Sequence, residues 1–266
     1  MIVTVQTFPL MSLSERLRAS GMPAIKADTW SRFIQEAVAL VYQAADELKS
    51  TKTWSEFCQK RGALSTPKTR SKKVGVIQIP IEDAITTELG HIVRRLRRQL
   101  PASHMLRAHE AAFEVEHQIE DSHRTGRNSK VTDFFFYSQV GDGAPEIAIE
   151  AKPLASKGDI DGRYLAAEGM GCFFTTDSPY SRAPVAGMLA YTIDVGAGSY
   201  KADINKALGI YVPTPLHVCD VGFDFGAHVS PITYSHHDRV ALNLIPVSML
   251  HFEMIFAPVV LGPAAA

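Results

Sequence analysis

Residues 131–154 read VTDFFFYSQVGDGAPEIAIEAKPL: an aromatic, β-branched run, a turn-forming GDGAP, and a second short apolar run. Both runs carry the composition of strands, and the glycines and proline between them supply the turn. In a strand, side chains two apart share a face, so Glu150 and Lys152 point one way and Ala151 the other. If the strands pair as a hairpin, Asp133 comes to lie beside Glu150. Two carboxylates and an ammonium then converge on one point.

Working outward, residues 81–100 (IEDAITTELGHIVRRLRRQL) place acids early and arginines late, as the helix dipole favours, and Pro101 ends the run. Residues 111–120 (AAFEVEHQIE) alternate like a strand. After the hairpin, residues 160–174 read as a glycine-weakened helix and residues 185–195 as a buried strand. The order is helix, three strands, helix, strand. Farther on, residues 203–211 suit a short helix and residues 248–261 a final strand. Upstream, residues 28–50 space Trp30, Phe33, Ile34, Ala37, Val38, Val41 and Ala45 as one helical face behind Asp28 as N-cap, and a shorter helix carries Trp54 and Phe57. Residues 57–81 hold Lys60, Arg61, Lys68, Arg70, Lys72 and Lys73 and read as a solvated basic loop.

The 266 residues are 46% hydrophobic and 21% charged, with net charge -1 and pI near 6.8, an ordinary globular composition that excludes a polycation coating nucleic acid indiscriminately. Cys58, Cys172 and Cys219 are far apart and lack CxxC spacing, so neither a disulfide framework nor a zinc ribbon is expected. The N-terminal stretch has no signal-peptide pattern, and no apolar run reaches the roughly 18 to 20 residues of a membrane helix. A soluble, cytoplasmic chain with no membrane contact is the expectation.

The chemistry follows from the donor types. Asp133 and Glu150 are hard oxygen ligands suited to Mg²⁺ or Mn²⁺, with the Ala151 carbonyl as a further ligand. A cation held there polarises a phosphate and acidifies a water, while Lys152 positions or deprotonates that water or stabilises the pentavalent phosphorus. Glu88 stands mid-helix among apolar positions, where a carboxylate calls for a metal or a cation.

These residues carry a family resemblance. VTDFFF, then IEAKPL, behind a helix bearing TELG, resembles the PD-(D/E)XK restriction-endonuclease-like superfamily, over residues 81–195. The resemblance implies an α/β fold with an α-β-β-β-α-β core and a central mixed sheet flanked by helices. It implies Asp133 and Glu150 as Mg²⁺ ligands, Lys152 as catalytic, and Glu88 as the acid from the first core helix. The segment from 162 to 174 and the strand after it are similar to bacterial and phage-defence members. Thr132 stands where the namesake proline would be.

Other residues have plainer readings beside them. A second (D/E)xK, Glu47-Leu48-Lys49, closes an amphipathic helix, where its Glu and Lys face different ways. Glu114 and Glu116 alternate with Phe113 and Val115, as on a solvent-facing strand side; Arg94, Arg95, Arg97 and Arg98 suit a solvated helix end. Arg124, Arg127 and Lys130 precede the active strand and are candidates for gripping a nucleic-acid backbone, and Tyr164 for stacking at the substrate. His217, Cys219 and Asp220, like His236, His237 and Asp238, lack zinc-site spacing. Neither a P-loop, a GxGxxG after a strand, nor a GxSxG elbow is present.

The expected organisation is an N-terminal helical extension with a basic loop (1–80) before a nuclease-like domain (81–266). The expected function is Mg²⁺-dependent phosphodiester hydrolysis, a DNA endonuclease acting on double-stranded DNA in restriction or defence, as a homodimer or with a partner subunit. The rival is a non-catalytic nucleic-acid-binding or partner-dependent subunit of the same fold.

Overall fold

The computed structural model describes residues 10–71, 75–119, 129–141, 143–176, 178–193, 198–224 and 229–262. Helices α1 (Leu13–Ala19), α2 (Ala24–Lys49) and α3 (Thr51–Gln59) lead into a short hairpin of β1 (Lys68–Ser71) and β2 (Gly75–Gln78). Then come α4 (Glu82–Gln99), the single turn α5 (Met105–Ala108), β3 (Ala112–Gln118), β4 (Val131–Tyr137) and β5 (Glu146–Leu154). After β6 (Val185–Thr192), α6 (Lys201–Leu208) precedes β7 (His217–Asp224), β8 (Val229–His237), β9 (Val247–Ile255) and β10 (Val259–Gly262).

Seven strands form one mixed sheet in the order β3-β4-β5-β6-β9-β8-β7. The centre, β5-β6 and β6-β9, is parallel, and the flanking pairs are antiparallel. Every residue of β6 is buried, as expected of a parallel strand covered on both faces. One face packs under α2 and α4 through Phe33, Ile34, Ile85, Leu89, Phe134, Phe136, Ile149 and Tyr191. Burying each large side chain of this kind contributes about 1.5–3 kcal/mol. The other face, through Ala148, Ala186, Met188 and Met249, packs under residues 160–173 and α6. Gly90 lets α4 lie close on β3, since a Cβ there would strike the Val115 side chain.

Several expectations need correction. The basic segment is not all loop: Lys68–Ser71 and Gly75–Gln78 are strands of a second, three-stranded sheet completed by β10 from the far end of the chain. Helix α2 begins before Asp28, which instead binds Arg18. Its buried face joins the same apolar cluster as α4 and the sheet. Residues 160–174 are not one helix but a π-helical turn (Ile160–Tyr164) and a 3-10 turn (Met170–Phe174). Gly169 makes the fold-back between them, where a Cβ would collide with the Arg163 and Tyr164 carbonyl oxygens. No helix among the described residues is long and apolar enough to cross a membrane.

Candidate active site

The site is built where two paired strands part. The β4–β5 ladder stops at Phe134↔Ile149, although β4 runs on beside β3 to Val131 and β5 runs on beside β6 to Leu154. At this fork side chains replace the missing ladder bonds: Thr132 Oγ1 donates to the Ile149 carbonyl (3.1 Å), and Asp133 Oδ2 accepts from the Ala151 amide (2.7 Å). Thr132 thus has a local role, satisfying a buried carbonyl at the splay.

Glu150 lies between those anchors and is 4% exposed. Lys152 Nζ donates to Glu150 Oε1 (2.6 Å) and to Glu82 Oε1 (2.9 Å). Glu82 opens α4, where the helix N-terminus favours negative charge. The other oxygen, Glu150 Oε2, is buried and has no hydrogen-bond partner among the described residues. Such an oxygen is costly unless a bound cation, a water or a proton shared with the neighbouring Asp133 carboxyl satisfies it.

The electrostatics follow from burial and crowding. Burial, and next the Asp133 charge, push Glu150 up to about 9 against the pull of Lys152. Burial likewise pushes Asp133 up to about 6, though the Ala151 amide and Lys152 oppose it. The two carboxyls are coupled and titrate as a unit. Burial alone would lower Lys152, but Glu150, then Glu82 and Asp133, outweigh it and raise it above the ordinary lysine range. Tyr180 and Cys172 sense the Glu150 charge as well: burial first, then Glu150 among other charges, raise both.

The sequence-read residues Asp133, Glu150, Ala151 and Lys152 therefore come together. Glu88 does not join them: its carboxylate binds Lys60 (2.5 Å) in a separate depression with Arg61 and His91. Six residues along a helix rotate a side chain by about 240° and shift it about 9 Å, so Glu82 and Glu88 cannot serve one point. Glu82 is the residue sequence reasoning missed; its signal was an acid in the first turn of the helix preceding the three strands. Tyr164 cannot stack on a substrate, because it is fully buried and its hydroxyl meets His251 Nδ1 (3.1 Å) and the Met188 carbonyl (3.3 Å). Lys130 donates to Thr175 Oγ1 (3.1 Å), and Arg124 and Arg127 lie outside the described residues.

Elsewhere, His217 and His236 are cross-strand partners. Among the described residues no three His, Cys, Asp or Glu side chains gather as a metal cage; at the fork, Lys152 separates Glu150 from Glu82. The donor set nonetheless suits a hard cation. The Asp133 and Glu150 carboxyls interact, one Glu150 oxygen is buried with no N–H or hydroxyl donor among the described residues, and such a cation keeps waters in its remaining positions. No protein-family model, curated protein or solved structure matches this chain.

Proposed function

We propose that this chain hydrolyses phosphodiester bonds in DNA with Mg²⁺ or Mn²⁺, as an endonuclease of restriction-endonuclease-like fold acting in restriction or defence. The observation that carries the proposal is the β4–β5 fork, which brings Asp133, Glu150 and Lys152 together around a buried carboxylate oxygen with no donor among the described residues. The chain order α4, β3, β4, β5, the broken helical segment and β6 supports the fold reading.

Asp133 and Glu150 hold the cation, with the Ala151 carbonyl as the further candidate ligand. When bound, the divalent cation polarises the scissile phosphate and acidifies a water. Glu150 must release its proton to serve, which a nearby positive charge favours. Lys152 keeps its charge at neutral pH, so it donates rather than accepts: its ammonium orients the attacking oxygen and offsets charge on the pentavalent phosphorus. Glu82 holds Lys152 from the second side and fixes where that charge sits.

The test is incubation of supercoiled plasmid and of circular single-stranded DNA with wild type and Lys152→Ala, in Mg²⁺ and in EDTA. Cleavage by wild type in Mg²⁺ alone is expected. Cleavage that persists in Lys152→Ala removes the assignment. Metal-independent binding without product favours a non-catalytic binding subunit.

A further inference from the structure

Beside the fork, on the sheet face of Asp133, three rings are stacked in the half-buried part of β3 and β4. Asp133, Phe135 and Tyr137 alternate along β4 with the buried Thr132, Phe134 and Phe136. Phe135 stacks on Tyr137 (centroids 5.1 Å, 27° between planes) and on His117 (4.4 Å, 23°). One carboxylate ties the outer rings together: Glu114 accepts from Tyr137 Oη (2.8 Å) and meets His117 Nδ1 (2.5 Å). His117 is the cross-strand partner of Thr132, so the stack begins one residue from Asp133.

Strand alternation alone would turn His117 toward the core with Phe113 and Val115. Glu116 adopts a left-handed backbone instead (φ 55°), and the His117 ring stacks on Phe135. A non-glycine residue in that region carries a cost that persists only where the surroundings hold it. The His117 and Glu114 side chains, held by each other and by the Phe135 stack, still reach solvent at 23% and 42% exposure. Over β5, β6 and β9 the same face is covered by residues 160–173 and α6; Phe135 packs against the edge of that cover, and His117 and Tyr137 are partly exposed. Glu114 and Glu146, the latter opposite Tyr137, place carboxylates at the stack, where they repel a phosphate backbone but accept hydrogen bonds from base amino and imino groups.

We propose that His117, Phe135 and Tyr137 form a nucleobase platform, so that the strand cut at the fork is unpaired DNA whose base beside the scissile bond lies on these rings. This rests on the hydrolase reading and sharpens its substrate class. Every base has a π-face, but in a duplex both faces are already stacked, so a ring platform selects single strands.

The test is binding in EDTA of a single-stranded DNA oligonucleotide carrying 2-aminopurine, and of its duplex, to the full chain. Expected are quenched 2-aminopurine fluorescence on the single strand, affinity about tenfold or more above the duplex, loss of about tenfold in His117→Ala, and recovery in His117→Phe. Circular dichroism establishes that the variants fold. Equal affinity for duplex, or unchanged fluorescence on binding, overturns the platform even if no variant folds. Because chelator removes the chemistry, the two readings fail separately. Ring-dependent binding without Mg²⁺ cleavage ends the hydrolase and leaves the platform, while duplex cleavage unimpaired in His117→Ala does the reverse.

Discussion

At the β4–β5 fork Glu150 Oε2 is buried without a donor among the described residues, whereas along β8 and β9 both ring nitrogens of His237 and of His251 have partners. The second arrangement is a closed chain. The Pro213 carbonyl can only accept, so His237 Nδ1 donates to it; Ser235 then donates to His237 Nε2 and accepts from His251 Nε2, leaving His251 Nδ1 to take the one Tyr164 proton in place of the Met188 carbonyl (3.3 Å). Nearby, the fully buried Arg239 donates to the carbonyls of Ile245, Phe173, Ser181 and Ala183. A satisfied network specifies a core, and it leaves a metal or substrate no vacant donor or acceptor on those rings. An unsatisfied one leaves room for a ligand, a condition that Arg16 Nε, Ser178 Oγ and Asp220 Oδ1 share elsewhere among the described residues. The difference teaches that a buried polar group marks function here where an open hydrogen bond coincides with converging charges, as at Glu150 beside Asp133, Lys152 and Glu82.

The contrast is broken most directly at Lys152. Lys152→Ala is expected to lower single-turnover cleavage about 100- to 1,000-fold in the Mg²⁺ assay. In the closed network the effect belongs to stability: His251→Ala, which leaves Tyr164 and Ser235 unpaired beside a cavity, should cost about 2–4 kcal/mol in urea unfolding and leave turnover by the folded protein unchanged. A large fall in turnover without a stability change would reverse the two roles.

The pH dependence of the metal-free protein separates the clusters by sign. Glu150 is raised from 4.5 to about 9, so the unfolded chain loses that proton first and stability falls as pH rises through this window. His251 and His237 are depressed from 6.5 to about 3 and about 4, chiefly by burial. Their contribution is present above pH 6.5 and is lost as pH falls toward 4 and 3. Calorimetry in chelator should show both limbs, with Glu150→Gln flattening the alkaline one and His251→Ala weakening the acid one. Limbs unchanged in both variants would falsify the assignment.

Smaller effects sharpen the comparison within α4. Glu82→Gln is expected to slow cleavage about tenfold by loosening Lys152. Glu88→Gln should leave cleavage unchanged and shift stability by less than about 1 kcal/mol, since its Lys60 partner is half exposed.

Much of the left half of the sheet was legible because its strands obey simple periods. The alternation of 112–118 and 131–137, and the apolar run of 146–154, report which faces are buried, and the 3.6-residue spacing in α2 and α4 does the same. The right half was not. HVCDVGFD and VSPITYSHH carry too many polar residues to read as core strands, yet Thr233, Ser235, His236 and His237 are buried because their hydrogen bonds close on residues far along the chain. KTRS in β1 shows no apolar pattern, and its small sheet is completed by β10, nearly two hundred residues away by number.

By itself, the sequence determined that Glu150 and Lys152 share a strand face and that Asp133 stands one strand earlier, because backbone geometry fixes both over short separations. Only the tertiary structure decided that Glu82 and not Glu88 meets Lys152 across 70 residues of chain, that His117 joins the rings on β4, and that Glu150 Oε2 finds no donor among the described residues. Whether a buried polar atom is satisfied depends on what distant segments bring to it, and no local pattern encodes that.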